Sequence, residues 1–215
     1  MPRKLVAVLY ADVAGYSRST ASDEDESHRT LSDYLDLIAG AIAGGHGQVM
    51  HYAGDAVLAM FEAAVDALAC ASRIQAEIGR RNELLPEGRR IAFRIGLNLG
   101  DVILDRGDMY GNGVNVAARL EALAAPGGIA FSESFQTALR GQPNIKSLRL
   151  GRRRVKNIAD PIGIYTLAED PTARAWRRTR RARTLALAAG GIFTVFVLVA
   201  AWRGGWLDWS QPQPV

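Results

Sequence analysis

The order in which strand-like and helix-like segments follow one another constrains the fold of this chain more than any other feature. Residues 5–13, LVAVLYADV, form an apolar run that ends in an acid and predict a buried strand. The segments after it predict a helix over 22–45, two short strands within 47–61, a second helix over 62–82 and a strand pair over 90–105. This β-α-β-β-α-β order predicts the α+β class, with a ferredoxin-like core whose helices pack on one face of an antiparallel sheet.

Additional elements are expected after this core. The remaining periodic segments predict a helix within 109–121, a strand over 127–132, a helix over 133–139 and strands within 148–157 and 163–168.

A long uncharged segment lies near the C-terminus. Residues 184–202, TLALAAGGIFTVFVLVAAW, contain 19 residues without a charge. At about 1.5 Å per residue such a helix nearly spans a hydrocarbon core of roughly 30 Å, whereas a buried core helix is usually shorter. Six arginines in 174–183 precede it and three tryptophans end or follow it, so the positive-inside rule predicts a single-pass membrane anchor with the N-terminal part in the cytoplasm. We therefore expect a domain over 1–168, a basic linker over 169–183, a membrane helix over 184–202 and a short extracytoplasmic tail over 203–215.

The positive charge of the chain is concentrated in that linker. The isoelectric point is near 9.5 and the formal net charge is +4, but without the six arginines of 174–183 the remainder carries −2. We assign the arginines to membrane topology and anionic headgroups, and we expect no nucleic-acid partner. The one cysteine, Cys70, lies in a helical pattern that predicts a reduced, packed side chain rather than a catalytic thiol.

Two aspartates occupy positions where a βαββ unit would bring them together. Asp12 ends the first strand, and Asp55 lies in the turn between the next two strands. Neighbouring carboxylates repel each other unless a cation lies between them, and their oxygens suit Mg²⁺ or Mn²⁺. The alternative is that each is an ordinary turn or strand-end residue. Gly15, in the loop after Asp12, would let a phosphate approach the backbone, although one loop glycine is a weak signal.

The segment MYGNGVNVAARLE, residues 109–121, has helical periodicity with two polar side chains beside its apolar stripe. At about 100° per residue, Asn115 and Arg119 fall close together, next to Val116 and Leu120, whereas Glu121 falls on the far, solvated side. An unpaired charge at the edge of a core is costly, so we expect Arg119 to have a partner. The alternative for Arg119 is a surface salt bridge.

Four motifs in this order resemble those of the class III nucleotidyl cyclases: YADVAGYS (10–17), MHYAGDAVLAMF (50–61), RIGLNLGDVI (94–103) and DMYGNGVNVAARLE (108–121). The resemblance covers roughly residues 4–168. It implies that Asp12 and Asp55 hold two divalent cations, Mg²⁺ or Mn²⁺, one at the ribose 3′-hydroxyl and the other at the β- and γ-phosphates. It also implies that the 3′-oxygen attacks the α-phosphorus in line and that pyrophosphate leaves.

The resemblance assigns the transition-state residues and the assembly as well. Asn115 and Arg119 match the family's asparagine and arginine, which orient the ribose and stabilise charge on the α-phosphate. In the family, one chain supplies the metal-binding aspartates and the other supplies the asparagine and arginine. This chain carries both sets, so the resemblance implies a homodimer with two shared sites.

Three positions concern nucleotide recognition. Asp108 matches the residue that accepts a hydrogen bond from the adenine amino group, where guanine has a carbonyl, and this favours ATP; the alternative is a solvated loop acid. His51 stands where adenylate cyclases commonly have lysine, and both base contact and an ordinary strand position stay open. Lys156 lies near a family position for a basic residue at the terminal phosphates, and phosphate contact or a solvated strand residue both stay open.

The sequence therefore predicts a membrane-anchored adenylate cyclase, a phosphorus–oxygen lyase that converts ATP to 3′,5′-cyclic AMP and pyrophosphate. Two alternatives remain. One is a weakly active homologue that serves as a regulatory or heterodimer partner, because His51 departs from the family pattern. The other is a guanylate cyclase, which Asp108 disfavours.

Overall fold

Among its described residues, a computed structural model of the chain contains one eight-stranded sheet, four α-helices that lie between the strands in sequence, and a helical stretch over 171–180. It describes residues 3–15, 24–155, 158, 160–180, 182 and 201. In chain order the elements are β1 Arg3–Val13, α1 Glu24–Gly44, β2 Gly47–Ala53, β3 Ala56–Phe61, α2 Ala64–Glu83, a 3-10 turn Glu87–Arg89, β4 Phe93–Asp105, β5 Asp108–Tyr110, α3 Asn112–Glu121, β6 Ile129–Ser132, α4 Glu133–Ala138, β7 Ser147–Arg153 and β8 Ile162–Leu167.

The strand order confirms the predicted class and core topology. The sheet runs β2-β3-β1-β4-β6-β8-β7, and β5 pairs with β4. β1 lies antiparallel between β3 and β4, and β2 pairs antiparallel with β3. The first four strands thus have the order of a ferredoxin-like unit, extended by a parallel pair of β4 with β6 and by the β7–β8 pair.

Helices cover both faces of the sheet, so the prediction of helices on one face is wrong. Successive side chains of a strand point to opposite faces. In β1, Ala7 and Leu9 belong to the core that contains α1 and α2, while Val6 and Val8 belong to a second core with Ala117 of α3. Helical periodicity indicates which side of a helix is buried, but it does not indicate which face of the sheet buries it.

The segment 90–105 forms one long strand rather than the predicted strand pair. β4 pairs with β1 from Phe93 opposite Val13 to Ile103 opposite Arg3. Gly96 lies inside this strand and does not interrupt it. The backbone of α3 occupies the space that a side chain at this position would fill, so only glycine fits here. The glycine therefore marks a close approach of helix and strand rather than a turn.

The C-terminal predictions fall largely outside the described residues. The chain divides into two compact units, Met1–Arg174 and Ala175–Val215. Of the predicted membrane helix over 184–202, the structure describes residue 201. In the described part of the chain, no helix combines the length and apolar character needed to cross a bilayer. The anchor, the domain boundaries and the cellular location stay predictions.

Candidate active site

β1 and the β2–β3 turn bring the two predicted metal-binding aspartates together. Asp12 stands near the end of β1, and Asp55 lies between β2 and β3, the strand that pairs with β1. Asp55 lies close enough to Asp12 for its charge to act on the Asp12 carboxyl, which also accepts the Val13 N–H at 2.9 Å. Burial, followed by the charge of Asp55, raises the pKa of Asp12. The two carboxylates meet as the sequence predicts, while their role as metal ligands stays a prediction.

Three side chains that the sequence analysis missed belong to the same cluster. Arg94 of β4 lies opposite Asp12 in the strand register, and Tyr10 precedes Asp12 by two residues on β1. Arg94 Nη1 lies 3.9 Å from Oε1 of Glu121 on α3. The Arg94 Nε is buried and has no hydrogen-bond partner within the described structure. The sequence feature that could have identified Arg94 as a site residue is its position as the one charged residue in the mostly apolar first half of β4.

Glu121 is buried, so its predicted place on the solvated side of α3 is wrong. The residue is 6% exposed, because Gly96 lets the α3 backbone lie directly on β4. Burial, followed by the charge of Asp12, raises the pKa of Glu121 to about 7, and the Arg94 guanidinium opposes the rise. The cluster therefore holds three carboxyl groups against one guanidinium, which is an excess of negative charge.

We expect Glu121→Gln to make the metal-free protein more stable above neutral pH. Because the pKa of Glu121 rises from 4.5 to about 7 on folding, the native state binds the extra proton between these values. The wild-type free energy of unfolding should then fall as pH increases through this range and stay low above it, by about 1 to 3 kcal/mol relative to the glutamine variant. Thermal unfolding in EDTA from pH 5 to 8 measures this difference.

The control for this prediction is Glu133→Gln, which removes a carboxylate from α4 whose side chain is 45% exposed. The pH dependence of that variant should match the wild type. Parallel stability curves for wild type and Glu121→Gln would show that Glu121 carries no raised pKa.

Asn115 and Arg119 lie on the outer side of α3. Both side chains are exposed, whereas Val116 and Leu120 are 6% and 1% exposed. Arg119 thus lies beside the buried stripe but is itself exposed in the single chain, and the expectation that it has a partner stays a prediction. The exposure leaves both polar side chains accessible to a second molecule.

β2 and β5 bring together the two residues predicted to read the base. His51 Nδ1 lies 3.4 Å from Asp108 Oδ2, and these side chains are 51% and 24% exposed. The Met109 N–H donates to Asp108 Oδ1 at 2.7 Å. This hydrogen bond lowers the pKa of Asp108, and Tyr110 and His51 contribute in the same direction. Asp108 is therefore held as an ionised acceptor that still faces solvent.

The two remaining predicted phosphate contacts are only partly described. Gly15 follows β1 with φ at 84°, a left-handed conformation that favours glycine. The Ala14 N–H before it donates to Ala92 O at 2.7 Å, which ties the start of this loop to the segment before β4. The loop continues into residues 16–23, and these, like Lys156, lie outside the described residues. Both contacts stay predictions.

Sequence and structure comparisons agree on the family. The profile of the adenylate and guanylate cyclase catalytic domain matches residues 2–169. This chain belongs to that family. It is 41% identical over 173 residues to putative adenylate cyclase 3 of Rhizobium meliloti, with 80% of this chain and 30% of that protein covered. Its fold is similar to the crystal structure of an adenylate/guanylate cyclase/hydrolase from Silicibacter pomeroyi, with a TM-score of 0.72, 41% identity and coverage of 77% and 97%.

The relatives of this cyclase domain include enzymes named for either nucleotide. The crystal structure of the guanylyl cyclase Cya2 is similar in fold, with a TM-score of 0.67 at 23% identity, covering 78% of this chain and 93% of that one. The chain spans less than a third of the Rhizobium relative. The comparisons therefore establish a nucleotide cyclase domain, and the base must be argued from the site.

Proposed function

We propose that this cyclase domain converts ATP to 3′,5′-cyclic AMP and pyrophosphate at two sites shared between two copies of the chain. The observation that carries the proposal is the separation of two half-sites on one chain. The Asp12–Asp55 cluster occupies the inner side of α3, while Asn115 and Arg119 project from its outer side. In a dimer, the Asn115 and Arg119 of one chain can therefore complete the site that contains the Asp12–Asp55 cluster of the other chain.

Asp12 and Asp55 would hold the divalent cations, Mg²⁺ or Mn²⁺. The pKa of Asp12 is raised by burial and by the charge of Asp55, and cations bound between the two carboxylates would neutralise this excess negative charge. Mg²⁺ commonly takes one or two carboxylates together with substrate phosphates. When bound, such cations supply activation of the ribose 3′-hydroxyl and charge neutralisation at the phosphates.

Arg94 is the candidate phosphate ligand of this half-site. Its guanidinium lies beside Asp12 and Glu121, and its buried Nε has no partner among the described atoms. A buried donor without a partner costs free energy, and a phosphate oxygen would supply the missing acceptor. We assign Arg94 to the triphosphate, together with the loop that contains Gly15, and we propose the same role for Lys156 from its sequence position alone.

Arg119 and Asn115 are the catalytic residues of the other half-site. Arg119 donates to the α-phosphate oxygens, where negative charge gathers as the 3′-oxygen attacks and the bond to pyrophosphate breaks. Asn115, one helical turn earlier on the same side of α3, orients the ribose. The rigid helix holds the spacing of these two groups.

His51 and Asp108 would bind the base. Asp108, an ionised acceptor, matches the adenine amino group and repels the guanine carbonyl at the same place. His51, 3.4 Å from Asp108, can donate one hydrogen bond to a ring nitrogen. This pair is the reason for proposing ATP rather than GTP. We further propose that residues 184–202 anchor the cytoplasmic domain to a membrane, as their hydropathy predicts.

The direct test is turnover by the purified full chain with ATP or GTP, each with Mg²⁺ or Mn²⁺. We expect cyclic AMP to form with kcat/KM for ATP at least about tenfold above that for GTP. Asp55→Asn, which keeps the shape of the side chain, should remove activity with both nucleotides. Absence of cyclic product from ATP would favour a regulatory partner, and faster turnover of GTP would favour a guanylate cyclase.

A further inference from the structure

The net charge of the chain conceals a second basic stretch, which lies inside the cyclase domain. Residues 134–159 contain seven lysines and arginines and no aspartate or glutamate. Outside this stretch and the arginines of 174–183, the chain has 13 basic and 22 acidic side chains. Positive charge is therefore confined to one part of an otherwise acidic domain, and such a separation of charge favours an anionic partner.

The fold gathers this charge at one edge of the sheet. β7 is the last strand in the sheet order, next to β8, and α4 precedes it in sequence. Six of the seven basic side chains are described and all six are exposed: Arg140, Lys146, Arg149, Arg152, Arg153 and Arg154. We call this group the basic edge.

Glu133 of α4 lies beside the basic edge and offsets part of its charge. Arg149 Nη2 and Arg152 Nη2 lie 4.0 and 3.9 Å from the two Glu133 carboxylate oxygens, and the three side chains are between 45% and 60% exposed. Exposed ion pairs at such distances contribute little, and one carboxylate cannot neutralise two guanidinium groups. The edge therefore keeps a net positive charge that faces solvent.

Protection of an edge strand does not account for all of this charge. Charged side chains on an edge strand prevent sheets from pairing edge to edge, and Arg149 and Arg152 can serve that purpose. Arg140, Lys146 and Arg154, however, lie before or after β7 rather than on it. The basic surface thus extends beyond the strand that needs protection.

We propose that the basic edge docks the cyclase domain on the anionic headgroups of the membrane that residues 184–202 enter. This inference rests on the membrane anchor of the proposed function. The arginines of 174–183 and the apolar segment follow β8 in the same chain, so an anchored domain is held at a bilayer surface at high effective concentration. Clusters of about four to eight lysines and arginines near such a segment bind anionic lipid by charge. The same tether favours a bilayer over a nucleic acid.

Hydrogen–deuterium exchange of the full chain on lipid vesicles tests the docking. One set of vesicles contains phosphatidylcholine alone, and the other also contains about 30% phosphatidylglycerol. We expect the backbone amides of 147–153 to exchange at least about threefold more slowly on the anionic vesicles. The difference should disappear near about 0.5 M salt, where charges are screened over a few ångströms.

Two variants should move this difference in opposite directions. Lys146→Gln, Arg149→Gln and Arg152→Gln, combined in one chain, remove half of the basic edge and should abolish the slower exchange on anionic vesicles. Glu133→Gln removes the neighbouring acid, so it should make the difference larger than in the wild type.

The matched control removes the same amount of charge from another part of the surface. Arg80 of α2, Arg89 of the 3-10 turn and Arg90 after it are exposed, and the acids Glu83 and Glu87 lie among them in sequence. A chain in which these three arginines are replaced by glutamine should show the wild-type difference between the two kinds of vesicle. An equal loss in this chain would mean that total charge, rather than the basic edge, attracts the lipid.

The possible outcomes separate the docking from the anchor and from the reaction. Equal exchange on both kinds of vesicle, with the chain bound to each, would overturn the docking and leave the anchor standing. A chain that binds neither kind would overturn both. Slower exchange with an RNA oligonucleotide but not with anionic vesicles would also contradict the docking. Cyclic AMP formation in detergent is independent of it, and the variant with three substitutions in the basic edge should keep the wild-type rate.

Discussion

Chains carrying Asp12→Ala and chains carrying Arg119→Ala should restore activity to each other when they are co-expressed. Each variant alone should lose at least about a hundredfold in kcat, because one lacks a cation ligand and the other lacks the transition-state guanidinium. In a mixed dimer, one site contains both substitutions, and the other site combines the intact Asp12 of one chain with the intact Arg119 of the other. Random pairing makes half of the dimers mixed, each with one intact site, so we expect about a quarter of wild-type activity.

The geometry of α3 is the reason for this expectation. Glu121, on its inner side, faces the Asp12 cluster of the same chain, whereas Arg119 is exposed on its outer side. One helix thus borders two different sites. Two affinity tags, one on each variant, isolate the mixed dimers for assay.

A second mixture provides the control for pairing. Asp12→Ala and Asp55→Ala remove groups from the same half-site, so every dimer of these two chains lacks an intact cluster. This mixture should stay inactive. Inactive mixed dimers of Asp12→Ala with Arg119→Ala, isolated through both tags, would rule out shared sites.

Topology could be predicted from the sequence wherever it depends on the order of elements. The β-α-β-β-α-β order places β1 between β3 and β4, and this placement alone brings Asp12 next to the turn that contains Asp55. Residues four apart lie on the same side of any α-helix, so Asn115 and Arg119 were predicted to lie side by side, and both are exposed on α3 in the structure. These predictions needed no knowledge of side-chain packing.

The rotation of α3 about its own axis could not be predicted in the same way. A helical wheel orders the residues around the axis, but the sheet decides which of them are covered. Glu121 is covered because β4 carries Gly96 beneath it, and that glycine was interpreted as part of a strand pair. Arg94 was missed for a related reason, since its neighbours in space come from β1 and α3 rather than from the adjacent sequence.

Gly96→Ala should therefore damage both stability and catalysis. A Cβ at this position would collide with Ala117 O and with the Glu121 backbone, which are parts of α3 that cannot rotate away as a flexible side chain would. The helix must lift from β4, and we expect a loss of about 2 to 4 kcal/mol in the free energy of unfolding. For a domain of this size, the midpoint of thermal unfolding should decrease by about 5 to 12 °C.

The catalytic effect should follow the displacement of α3 rather than general unfolding. Arg119 and Asn115 move with the helix, so kcat of the folded Gly96→Ala protein, assayed well below its midpoint, should fall about tenfold or more. The ATP-over-GTP ratio should change little, because His51 and Asp108 stand on β2 and β5. Circular dichroism melts and steady-state kinetics of the full chain measure these quantities.

Gly40→Ala is the matched control for this substitution. Gly40 lies inside α1, where an added Cβ meets nothing within 4 Å. Alanine favours the helix over glycine by up to about 1 kcal/mol, so this variant should melt at or above the wild-type midpoint with unchanged kinetics. A Gly96→Ala protein that behaves like Gly40→Ala would mean that α3 does not rest on β4, and the positions of Glu121, Arg94 and Arg119 would then have to be assigned again.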